Sequence, residues 1–115
     1  MDSERLLELT VDALEERKAV RIQVLDVRAL TDITDYMVVA SGRSTRQVSA
    51  IAQHLIEQAK SHDQRPMGTE GLRHGEWVLV DLCDVVVHLM TPATRELYQL
   101  EKLWGGSETT VAYPS

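Results

Sequence analysis

The sequence predicts an α/β domain, α+β in character, built on a single mixed β-sheet with helices packed on it. Three observations carry that expectation. Residues 3 to 18 and 44 to 60 place apolar side chains at helical spacing. An alternating stretch at 20–27 and mostly apolar runs at 36–40, 77–82 and 85–90 read as strands. Their order, with a last helix after residue 91, is helix, strand, strand, helix, strand, strand, helix.

Each element has its own justification. In the first helix, Ser3 is the expected N-cap and Glu4 suits the first turn. Leu7, Val11 and Leu14 form its apolar stripe, widened by Leu6 and Ala13. In the first strand, Val20, Ile22 and Val24 alternate with Arg21 and Gln23. Residues 28 to 35 are polar and read as a connection. The run 36–40 ends at Ser41-Gly42, a turn signal. Ser44 and Gln47 then form a capping box. Behind it Val48, Ile51, Ala52, Leu55, Ile56 and Ala59 keep helical spacing. Pro66 and three glycines mark 61–76 as a loop, with a short strand near 67–69. Thr91-Pro92 opens the last helix, which is expected to run to Trp104 with Leu97, Leu100 and Trp104 on one face. Residues 1 to 104 read as one domain, and 105 to 115 as a polar, flexible tail.

The totals limit what such a domain does. The chain has 115 residues, 43% hydrophobic and 26% charged, an ordinary globular mix. One cysteine permits no intramolecular disulfide, and no run approaches the roughly 20 apolar residues of a membrane span. Cytoplasm is the simplest expectation. The net charge of −6 disfavours naked nucleic acid and favours a basic partner.

The two late strands say the most. With Cys83-Asp84 as a two-residue hairpin turn, Leu82 pairs with Val85, Val80 with Val87, and Val78 with Leu89. That face is apolar throughout and belongs to the core. The opposite face pairs Asp81 with Val86, Leu79 with His88, and Trp77 with Met90. A solvated sheet face is normally polar, and this one is mostly apolar. Two readings stay open: a helix covers this face as well, or it is exposed and waits for a partner.

Catalytic spacing is missing. Asp81 and Asp84, like Asp32 and Asp35, are three apart, whereas a two-metal site on a strand needs carboxylates two apart. The histidines 54, 62, 74 and 88 form no ligand pair, so no metal or other cofactor is expected. Ser41 to Gln47 joins a strand to a helix N-terminus, where a nucleotide phosphate could bind. The glycine pattern of a phosphate loop is absent, which favours a turn plus a cap.

In order and spacing, several segments resemble the ribosomal silencing factors, the RsfS family related to Iojap. They are Thr31-Asp32-Ile33-Thr34-Asp35-Tyr36, Ser41-Gly42 with Ser44 and Arg46-Gln47, Glu70-Gly71, residues 77–81, residues 84–88, and Tyr98 with Leu100, Glu101, Leu103 and Trp104. The resemblance spans residues 3 to 104. It implies a nucleotidyltransferase-like fold without the catalytic carboxylates, and so no enzyme. It implies binding to the large ribosomal subunit through ribosomal protein uL-fourteen, which blocks joining of the small subunit and represses translation under nutrient limitation. A link to large-subunit assembly and a homodimer in the free state are implied too. The expected contact residues are Trp77, Leu79, Asp81, Val86, His88 and Met90, joined by Tyr98, with Glu76 and Asp84 at the rim. A small nucleotidyltransferase-like enzyme using Ser41 to Gln47 is the alternative. The family has Gly where this chain has Cys83. Glycine takes positive φ freely and cysteine does not, so the departure leaves the turn type open.

Overall fold

The run Tyr36–Ser41 is buried along its whole length, and the sheet is organised around it. A strand covered on both faces reads as a continuous apolar run, not an alternation. The computed structural model describes residues 1–103 and 110–112. In chain order the elements are α1 (Ser3–Glu16), β1 (Val20–Asp26), β2 (Tyr36–Ser41), α2 (Thr45–Ser61), β3 (Gly68–Glu70), β4 (Trp77–Asp81), β5 (Val85–Met90), α3 (Pro92–Tyr98), α4 (Leu100–Leu103) and β6 (Thr110–Ala112). The sheet order is β3-β4-β5-β2-β1-β6. The central pair, β2 and β5, is parallel and the other pairs are antiparallel, which makes the sheet mixed as expected.

On the first face, α1 and α2 bury their stripes against the sheet. Leu6, Val11, Leu14, Val48, Ile51 and Leu55 meet Ile22, Val24, Val38, Val78, Val80, Val85, Val87 and Leu89. The apolar side of the predicted hairpin is therefore core. Its register is as expected, from Trp77 opposite Met90 to Asp81 opposite Val86. Leu82 N–H donates to Val85 O at 2.9 Å and closes the turn. Cys83 sits at φ +74, the conformation that favours glycine. Asp81 Oδ1 accepts from its N–H at 2.8 Å, which helps to hold it there. Cys83→Gly is accordingly expected to raise stability by about 1 kcal/mol. The check is a higher denaturant midpoint with an unchanged slope.

Four details differ from expectation. Asp2, not Ser3, caps α1, accepting from Arg5 N–H at 2.8 Å; a carboxylate there also suits the helix dipole. The short third strand is Gly68–Glu70, shifted by one residue. The last helix breaks at Gln99, whose φ of +49 re-aims the chain between α3 and α4. Leu97 thereby leaves the buried stripe and is 75% exposed, while Leu100 packs inward. Of the expected tail, Thr110–Ala112 pairs antiparallel with β1 as an edge strand. The rest of it, and Trp104, lie outside the described residues. No described helix is long and apolar enough to cross a membrane.

Candidate partner-docking site

The second sheet face carries the candidate site, and it combines the two readings the sequence left open. A small cluster on it is closed: Leu25, Val27, Met37, Val39 and Met90 are buried, and Trp77 and Leu100 pack against them. Beyond that cluster Trp77, Leu79, Asp81, Val86 and His88 stay half-buried. Cross-strand register puts Leu79 beside His88, and Asp81 beside Val86. Helices thus cover one part of this face and leave the β4–β5 part open.

Most of the expected contact residues come together there, and Met90 is the exception. It is fully buried in the cluster against which Trp77 and Leu100 pack, so it supports the surface without forming it. Tyr98, at the end of α3, is 51% exposed and lays its ring against Trp77, with centroids 4.7 Å apart. Glu76 and Asp84 are exposed at opposite ends of the two strands. The sequence reading missed Glu70 as a contributor. Its pairing with Leu79 places this exposed carboxylate on the same face. Glu70 and Asp81 thus put carboxylates beside the apolar Leu79 and Val86.

Trp77 is held from two sides. Its Nε1–H donates to His88 Nδ1 at 2.9 Å, while Tyr98 packs on its ring. Accepting at Nδ1 requires a neutral imidazole with its proton on Nε2. Burial agrees, pulling the His88 pKa down to about 4. The folded value lies below the unfolded one, near 6.5. Its contribution to stability is therefore complete above about pH 6.5 and is lost as pH falls towards 4. The loss is on the order of 3 kcal/mol at most. His88→Asn keeps an acceptor near the indole but does not titrate in this range. Denaturation midpoints between pH 7.5 and 4 are expected to fall more steeply for the wild type than for this variant.

A second feature was not legible in the sequence. Arg95 is 98% removed from solvent, being only 2% exposed. Its guanidinium donates to Arg21 O, to Ser41 Oγ at 3.2 Å and to Gln23 Oε1 at 3.2 Å. An arginine on a short helix normally reads as solvated, and no sequence pattern marks this one as buried. The segment Ser41 to Gln47 is built as a turn and cap. Ser41 is buried, Ser44 Oγ accepts from Gln47 N–H at 3.1 Å, and Gln47 Oε1 accepts from Arg43 N–H at 2.6 Å. The amides a phosphate would use are partly taken by this box.

Comparison with known proteins places the chain among relatives that share both sequence and fold. The family model described as "Ribosomal silencing factor during starvation" matches residues 1–114. "Ribosomal silencing factor RsfS" of Chromobacterium violaceum is 43% identical over 112 residues, covering 97% of this chain and 92% of that protein. A crystal structure of a protein from the same organism superposes with a TM-score of 0.90 at 43% identity, covering all of this chain and 92% of the other. "Mitochondrial assembly of ribosomal large subunit protein 1" of Mus musculus is 38% identical over 101 residues, which are 85% of this chain and 44% of that protein.

Proposed function

The chain belongs to the family of ribosomal silencing factors, and on that premise we propose that it binds the large ribosomal subunit through its second sheet face and keeps the small subunit from joining. The observation that carries the reading is the half-open apolar centre at Trp77, Leu79 and Val86, flanked by the carboxylates of Glu70 and Asp81. Exposed apolar patches of this kind mark docking sites, and tryptophan is enriched at their energetic centres. The flanking carboxylates select a basic partner and speed encounter. Ribosomal protein uL-fourteen, on the subunit-joining face, is the partner this reading names. The protein works by occupying that face, without turnover, and so represses translation when nutrients are scarce.

A mouse relative named for assembly of the mitochondrial large subunit supports the choice of subunit and a further role in its biogenesis. In the free state the same apolar centre would serve a homodimer in the cytoplasm. The test is subunit joining followed by light scattering. Large subunits preincubated with this protein are expected to join small subunits in proportion to the sites left free. Undiminished joining at saturating protein would overturn the proposal.

A further inference from the structure

We infer that Arg95 is a positioning residue for the docking surface: by pinning α3 to the sheet it keeps Tyr98 against Trp77. The inference rests on the docking function proposed above and adds how the surface is kept in shape. The reason lies in how α3 is held. Arg95 is the buried residue of this seven-residue helix, while Leu97 and Tyr98 are 75% and 51% exposed. Apolar burial, the usual means of seating a helix, is nearly absent. A guanidinium takes its place.

The receiving side is shaped for it. The β1–β2 register shifts between Val20 and Gln23, and Arg21 sits in this bulge at φ +53. Its carbonyl accepts from Arg95 Nη1. Ser41 Oγ, fully buried at the end of β2, accepts from the same nitrogen, and Gln23 Oε1 accepts from Nη2. A buried guanidinium is costly unless its donors are met, so α3 cannot drift without unpairing several groups together. The helix start is tied as well, since Thr91 N–H donates to Glu76 O at 3.0 Å, one residue before Trp77. Three residues beyond Arg95, the Tyr98 ring meets Trp77. Arg21, Ser41 and Gln23, which accept from Arg95, lie on β1 and β2 and not in the open patch. Arg95 acts on binding through preorganisation, by sparing Trp77 the ordering cost of association.

The experiment uses the full chain with Trp104→Phe, so that Trp77 is the sole tryptophan. Arg95→Met keeps an unbranched stem and removes the fork. Three quantities are read: acrylamide quenching of Trp77, amide exchange in α3 against α2, and affinity for purified large subunits. The expected result is more quenching, faster exchange in α3 with α2 unchanged, and roughly three- to tenfold weaker binding. A folded Arg95→Met protein with wild-type quenching and α3 protection would overturn the inference. Equal acceleration in α2 and α3 would do so too, because it would make Arg95 a general stabiliser. Should that variant not fold, Tyr98→Ala cuts the same linkage at its other end. It must raise Trp77 quenching while α3 stays protected, and unchanged quenching counts against the inference. Quenching and exchange need no ribosome. If Trp77→Ala binds large subunits normally, the docking reading fails separately.

Discussion

Replacing Trp77 with alanine is expected to weaken binding to the large ribosomal subunit by about thirtyfold or more, which corresponds to roughly 2 kcal/mol of interface energy. Trp77 combines three properties of a docking anchor. It is large, it is half-open, and its ring is held by His88 and Tyr98 before any partner arrives. An anchor already in place avoids the ordering cost that a mobile side chain brings to association. The fold should survive the change, because the main core lies on the other face among residues of α1, α2 and the sheet. Leu79→Ala is expected to act in the same direction with a smaller effect. Circular dichroism establishes folding, and co-sedimentation with large subunits gives the affinity. A folded Trp77→Ala protein that pellets with large subunits as tightly as the wild type would place the site elsewhere.

Gly71→Ala is expected to cost about 2–4 kcal/mol of stability. Gly71 has φ +82, and a Cβ on it would lie 2.0 Å from the carbonyl oxygen of Trp77. That neighbour is backbone, so no side-chain rotation relieves the clash. The glycine also closes the β3–β4 connection, since its carbonyl accepts from Gly75 N–H at 2.9 Å. The first residue of β4 would have to move, and it is Trp77 itself. Stability and affinity should therefore fall together. Gly68→Ala is the matched control, because a Cβ there meets nothing within 4 Å. Urea unfolding of the two variants gives the comparison. Equal midpoints would mean that the connection yields freely.

Where local pattern decides the structure, the sequence was readable. The capping box of Ser44 and Gln47, the stripe of α2, and the hairpin register from Trp77 to Met90 all follow from spacing and side-chain chemistry. So did the placing of Trp77 and Leu79 on the half-open face, because they alternate with core residues on one strand. What escaped depends on elements far apart in the chain. Glu70 joins the site only because β3 pairs with β4. Met90 leaves it because Leu100 and its neighbours close over that part of the face. The break at Gln99 follows from a positive φ on a residue with no glycine signal. Arg95 pairs with Gln23 across 72 positions, a contact that helical periodicity cannot foretell. The parallel pairing of β2 and β5 was equally beyond pattern, since direction is set by the crossover through α2, β3 and β4.

The most direct measurement is a density gradient of separated and rejoined ribosomal subunits run with this protein. A sheet face that docks on the subunit-joining surface predicts co-migration with free large subunits near one copy each, and absence from joined ribosomes. Protein that stays at the top of the gradient, or that travels with joined ribosomes, would contradict it.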